Sequence, residues 1–158
     1  MQEILIGTNN KGKIREYEIL FKGIFRPVPL NYLGIHLDVN EDGLSYEDNA
    51  LIKLEYLKDK SPFPVITDDS GLEVTLLNNE PGIFSARYSG KNSSDENNIN
   101  KLLGKIKDLE TSPDATKIDG KTEIDRSAKF VCSIAYFDPE NPDKIITSYG
   151  ECHGLIVD

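Results

Sequence analysis

The stretch Pro64-Val65-Ile66-Thr67-Asp68-Asp69-Ser70-Gly71-Leu72 constrains this chain more than any other, because a short apolar run carries two adjacent carboxylates and a hydroxyl toward a glycine. Val65-Ile66-Thr67 reads as a buried strand, and Ser70-Gly71 as the point where its backbone turns. Asp68 and Asp69 are therefore expected at a strand end, where neighbouring carboxylates repel if both are ionised. The repulsion is relieved if one turns into hydrogen bonds and the other faces a cation or an attacking water. A polar strand-to-turn cap accounts for the segment equally well, so taken alone it leaves both readings open.

Ile4-Leu5-Ile6 is a second buried-strand run. It leads into the polar loop Thr8-Asn9-Asn10-Lys11-Gly12-Lys13 and a helix expected from Lys13 to Lys22, with Ile14, Tyr17 and Phe21 on one face. Free N–H groups and the dipole at a helix N-terminus favour an anion, so the loop is a candidate phosphate cradle. With one glycine it is neither a Walker A loop nor a GxGxxG fingerprint, and a plain capped turn is the alternative. Ser45 and Asp48 make a capping-box pattern before a second helix, with Leu51, Leu54 and Leu57 on one side and Asn49 and Lys53 on another. Lys58, Lys60 and Pro62 close it. A hairpin is expected through Val74–Leu77 with Asn78–Gly82 as its bend, then a third helix from Asp95 to Lys107 with Ile99, Leu102, Leu103 and Ile106 as its stripe. Glu110 to Arg126 is expected as a mobile surface loop, and strands over Lys129–Phe137 and Ile145–Ile156 as an antiparallel pair. Periodicity alone licenses α/β or α+β.

A chain of 158 residues fits a single domain over 1–158, without internal repeat or linker. Its net charge of −9 argues against binding DNA or RNA. A phosphorylated ligand must then be small and neutralised by a divalent cation and a few lysines. The N-terminus lacks a basic n-region, and nowhere do 18 apolar residues run together, so the expected setting is cytoplasmic with no membrane partner. Cys132 and Cys152 are expected as buried thiols, and His36 and His153 have no nucleophile or metal-ligand spacing.

Four blocks in order sharpen this picture: Thr8-Asn9-Asn10-Lys11-Gly12-Lys13; Glu41-Asp42-Gly43 with Glu47-Asp48-Asn49-Ala50 and Lys53; Thr67-Asp68-Asp69-Ser70-Gly71-Leu72; and Pro81-Gly82-Ile83-Phe84-Ser85-Ala86-Arg87-Tyr88-Ser89-Gly90. Together they resemble the inosine triphosphate pyrophosphatase family, enzymes that hydrolyse ITP, dITP and XTP to the monophosphate and pyrophosphate. The resemblance implies an elongated α/β fold, a mixed β-sheet with flanking helices and a cleft between two lobes. It implies a homodimer, and Mg²⁺, or Mn²⁺ in its place, held by Glu41 and Asp69. Thr8, Asn9, Asn10, Lys11, Gly12, Lys13, Lys53 and Ser70 would bind the purine nucleoside triphosphate, and Asp69 would orient or deprotonate the water. Arg87 belongs to the fourth block.

Members of that family continue into a Phe-Gly-Tyr-Asp-Pro segment and a Ser-His-Arg segment that help bind base and phosphates. The present sequence matches about the first four-fifths of a typical member, so a C-terminally truncated version of the fold is expected. With it come weak, poorly selective turnover and an exposed apolar patch. The rival readings are a catalytically impaired nucleotide-binding module and an aspartyl phosphatase, whose Asp-x-Asp pattern the adjacent, mid-chain aspartates do not make.

Overall fold

The structure is a computed structural model that describes residues 1–112, 117–118, 121–122 and 124–157. Its elements run β1 (Gln2–Ile6), α1 (Lys11–Leu20), β2 (Phe25–Pro29), α2 (Tyr46–Leu57), β3 (Val65–Val74), β4 (Glu80–Pro81), α3 (Asp95–Glu110), β5 (Lys117–Ile118), β6 (Lys121–Thr122), β7 (Ser127–Phe137) and β8 (Ile145–Leu155). Six strands form one sheet in the order β2-β1-β3-β7-β8, with β4 pairing to β3. The pairing is mixed, since β1 runs parallel to β2 and β3 while β3 and β4 are antiparallel. The expected α/β class and mixed sheet with flanking helices are what is found.

The chain divides into two compact units, Met1–Asp69 with Cys132–Tyr149, and Ser70–Val131 with the segment from Gly150 onward. In the first, Ile4, Leu5 and Ile6 are almost wholly buried, because β1 is a central strand covered on both faces. Ile4, Ile6 and Ile66 pack with Tyr17 of α1, whereas Leu5 and Val65 pack with Ala50, Leu54 and Leu57 of α2. Alternation along a strand sends successive side chains to opposite faces. Chain order adds a second constraint, for the crossover through α1 places β2 on one side of β1 and the crossover through α2 places β3 on the other. A crevice at the carboxyl ends of the strands, where the winding reverses, is where open parallel sheets bind ligands.

The second unit has its own core of Val74, Leu77, Tyr88, Leu102, Ile106 and Ala128. Tyr88 of the fourth block donates its hydroxyl to Glu80 at 2.8 Å, Lys105 reaches the same carboxylate at 2.5 Å, and Lys101 donates to the Tyr88 carbonyl at 2.6 Å. These contacts tie α3 to the 3₁₀ segment Gly82–Arg87 and to β4.

Several local expectations are corrected. β3 does not turn at Ser70-Gly71 but stays extended to Val74, because β7 and β4 flank it and ladder partners override the local glycine signal. The bend of the following hairpin falls earlier than expected, over Thr75–Leu77 and two left-handed asparagines, Asn78 (φ 53°) and Asn79 (φ 67°), so that Glu80 and Pro81 already pair with β3. Asparagine tolerates that backbone region better than most residues. α1 begins at Lys11, two residues early, and α3 runs to Glu110. Ile99 is exposed, leaving Leu102 and Ile106 as the buried part of its stripe.

Within the expected loop from Glu110 to Arg126, β5 and β6 form a short antiparallel ladder; residues 113–116, 119–120 and 123 lie outside the described residues. β8 is exposed along its whole length, with Ile145, Ile146, Tyr149 and Leu155 among its apolar side chains. That exposure corrects the expectation for Cys152, which is an exposed free thiol, while Cys132 is half-buried.

Candidate active site

β1 ends at Ile6, where it pairs with Ile66, and the Gly7 N–H donates to the Ile66 carbonyl at 2.7 Å. β3 therefore outruns β1 and carries Asp68 and Asp69 past the end of its parallel neighbour. Gly7 is required there, since a Cβ would lie 2.5 Å from Thr67 Cγ2 and 2.7 Å from Leu57 Cδ1. Thr67 fixes the strand to α2 by donating its hydroxyl to the Ala50 carbonyl at 2.7 Å.

Asp68 and Asp69, both buried, relieve their mutual repulsion by pointing to opposite faces of β3. On one face, Asp68 is in direct contact with the Lys13 ammonium and accepts a hydrogen bond from the buried Tyr17 hydroxyl at 3.3 Å. Burial and the Asp68 carboxylate push the Tyr17 phenol far above its ordinary range. This is a closed arrangement, one carboxylate to one lysine. On the other face, Asp69 accepts from Asn49 Nδ2 at 3.0 Å and lies 3.9 Å from Lys53 Nζ, which in turn lies 3.2 Å from Glu41 Oε2. Here two carboxylates are paired to the same lysine. Burial raises the Asp69 pKa above the usual aspartate range, with Glu41 adding to the effect and Lys53 and Asn49 opposing it.

Glu41 reaches this place because the segment before α2 alternates. Ile35, Leu37, Val39, Glu41 and Gly43 are half-buried while His36, Asp38, Asn40 and Asp42 are exposed. Ile35 and Leu37 pack on the α2-side core, so the same register turns Glu41 inward and Asp42 out. That period of two is visible in the sequence and singles out Glu41 from its acidic neighbours. Gly43 then docks on the start of α2, where a Cβ would lie 2.6 Å from Asp48 Cβ and 2.7 Å from Asn49 Oδ1. Ser45 caps α2 by accepting from the Asp48 N–H at 3.0 Å.

The loop Thr8–Lys13 makes a tight entry to α1. The Thr8 hydroxyl accepts from the Asn10 N–H at 3.1 Å, and Asn10 Oδ1 accepts from the N–H groups of Gly12 at 2.8 Å and Lys13 at 3.2 Å. Two of the amides expected to face an anion are thus engaged by the helix cap. Thr8 is buried, Asn9, Asn10, Lys11 and Gly12 are exposed, and Lys13 sits between. Ser70 follows Asp69 directly in β3, is half-buried, and begins the second unit. Lys53, which a solvated helix lysine would leave open to water, has a side chain only 7% exposed.

No group of three or more His, Cys, Asp or Glu positioned for a metal ion occurs among the described residues. The donor set of Glu41 and Asp69 nevertheless suits Mg²⁺, which takes one or two carboxylates and completes its shell with phosphate oxygens and waters. Their shared lysine marks a spot where positive charge is already stabilised. His36 and His153 stand elsewhere: the former is exposed and offers its carbonyl to Tyr56, the latter is exposed beside Glu151 at 3.0 Å. Arg87 lies over the Phe84 ring, 5.2 Å from its centre. Two residues at the site carry no role in the sequence reading above: Tyr17, which it places on a helix face, and Asn49, which it places in the second block and on one side of α2. For Asn49 the signal was a poor helix former set beside Ala50 on the face that packs inward.

The dITP/XTP pyrophosphatase of Staphylococcus aureus (strain MRSA252) is 41% identical over 158 residues, all of this chain and 72% of the relative. That of Legionella pneumophila (strain Paris) is 39% identical over 156 residues, 99% of this chain and 73% of the relative. The matched share is somewhat less than the four-fifths expected. Among solved structures, a HAM1 protein from Coxiella burnetii superposes with a TM-score of 0.77 at 31% identity, over 99% of this chain and 73% of that one. The model of the Ham1 family matches residues 4–158, and the chain belongs to that family.

Proposed function

We propose that this chain hydrolyses non-standard purine nucleoside triphosphates of the dITP and XTP kind, ITP included, to the monophosphate and pyrophosphate, cleansing the nucleotide pool of the cytoplasm. The observation that carries the reading is the pair of unlike carboxylates on β3, a neutral Asp68–Lys13 pair and an acid-rich Asp69–Lys53–Glu41 cluster, in a member of the Ham1 family.

Asp69 orients and deprotonates the water that attacks the α-phosphorus. Its raised pKa suits a base, because proton transfer is most effective when donor and acceptor are closely matched. Glu41 and Asp69 would hold Mg²⁺, or Mn²⁺ in its place. When bound, the ion offsets phosphate charge and polarises the phosphoryl group. Lys13 keeps donors for a phosphate oxygen while paired to Asp68, since an ammonium has three. Lys53 supplies positive charge beside the reacting phosphate. Thr8, Asn9, Asn10, Lys11, Gly12 and Ser70 complete the polyphosphate site, Asn10 mainly by shaping the turn that presents Lys13. A homodimer accompanies this reading and is checked by light scattering.

The test is product analysis with ITP, dITP, XTP and ATP in Mg²⁺. The expected result is pyrophosphate as the first product from the non-standard nucleotides, lost in excess chelator. Orthophosphate as first product, full turnover in chelator, or nucleotide binding without turnover would overturn the proposal.

A further inference from the structure

Asn49 is wholly buried in the first turn of α2, and both ends of its amide are engaged by groups from different parts of the fold. Nδ2 donates to Asp69 Oδ2 at 3.0 Å, and Oδ1 accepts from the Gly43 N–H at 2.9 Å. Gly43 is two residues from Glu41, and its lack of a side chain is what lets the loop come down onto this amide. One rigid side chain therefore links the loop that carries Glu41 to the strand that carries Asp69. Lys53 bridges the same two carboxylates from its ammonium, at 3.2 Å from Glu41 Oε2 and 3.9 Å from Asp69 Oδ1.

We infer that Asn49 is a positioning residue that sets the spacing of Glu41 and Asp69 and holds Asp69 in the orientation that leaves its other oxygen toward Lys53. The inference rests on the proposed roles of those two carboxylates. An asparagine is suited to the task, since its planar amide donates from Nδ2 and accepts at Oδ1, two separate atoms that can serve a carboxylate and a backbone amide on different elements at once. An aspartate could serve only the Gly43 arm, and an alanine neither. Groups that orient metal ligands from behind typically contribute about 10–100-fold in affinity or activity.

The test compares Asn49→Ala and Asn49→Asp with the unaltered chain by Mn²⁺ titration, read from the paramagnetic signal of free Mn²⁺, and by kcat for pyrophosphate release. Asn49→Ala is expected to weaken Mn²⁺ binding by about 10–100-fold and to lower kcat comparably. Asn49→Asp, which keeps the Gly43 acceptor but breaks the Asp69 arm, is expected to recover Mn²⁺ binding through the third carboxylate it sets beside Glu41 and Asp69, but not kcat, since Asp69 is no longer held in place. That split is what a merely structural residue would not produce. Wild-type Mn²⁺ affinity in a folded Asn49→Ala, or wild-type kcat in Asn49→Asp, would overturn the inference. Should Asn49→Ala fail to fold, the second criterion decides alone. If the unaltered chain releases no pyrophosphate, the functional proposal fails, and the Mn²⁺ titration still decides the role of Asn49.

Discussion

Asp68 and Asp69 are adjacent, alike in chemistry and buried to a similar degree, yet the two faces of β3 give them opposite surroundings. Asp68 meets one lysine and one phenol and is electrically complete. Asp69 shares its lysine with Glu41 and carries a pKa raised by burial. Pleating alone separates them, for a strand cannot aim neighbouring side chains the same way. A dipeptide can thus build a scaffold contact and a reactive group at once, with α1 supplying the partner on one side and α2 on the other.

The sharpest way to break the comparison is Asp69→Asn. The amide keeps the size and can still accept from Asn49, but it is a poor base and a weak metal ligand. Pyrophosphate release should fall by about 10²–10⁴-fold while the thermal midpoint holds or rises, since a desolvated charge has been removed. Near-normal turnover would remove Asp69 from the mechanism.

Stability separates the two lysines. Lys53→Met removes the buried ammonium shared by Glu41 and Asp69 and should cost about 3–5 kcal/mol in urea unfolding. Lys13→Met leaves Asp68, among the described residues, its Tyr17 bond, but Lys13 is partly open to water, so about 1–3 kcal/mol is expected. The reverse order would mean that Asp68, not Asp69, sits in the strained environment.

A smaller effect follows from the raised Asp69 pKa. The folded chain binds this proton more tightly than the unfolded chain does. Stability attributable to Asp69 is therefore full below the ordinary aspartate pKa and declines as pH rises through the higher folded value. In metal-free buffer, the difference in unfolding free energy between the parent and Asp69→Asn should shift across that window in favour of the variant. A flat difference would mean that Asp69 titrates as an exposed aspartate.

How much of this was legible in the sequence follows the same division. The buried strand before Asp68, the helix capped by Ser45 and the strand–loop–helix around Thr8 were readable, because each depends on local periodicity and capping. The extension of β3 through Gly71 was not, because it depends on β4 and β7, which lie later in the chain. Nor could residue types alone say that Lys13 would find Asp68, 55 positions away, or that Asn49 would span Gly43 and Asp69. Glu41 is an intermediate case, since the alternation from Ile35 to Gly43 was present in the sequence but lies outside any regular strand.

The central claim is that the two faces of β3 differ in their capacity for a divalent cation. Mn²⁺ titration of Glu41→Gln, Asp69→Asn and Asp68→Asn, each shown to be folded, tests it most directly. Glu41→Gln and Asp69→Asn are expected to weaken binding by about 10–100-fold, with Asp68→Asn within a few-fold of the parent. Equal weakening by all three, or the greatest loss at Asp68, would contradict the account.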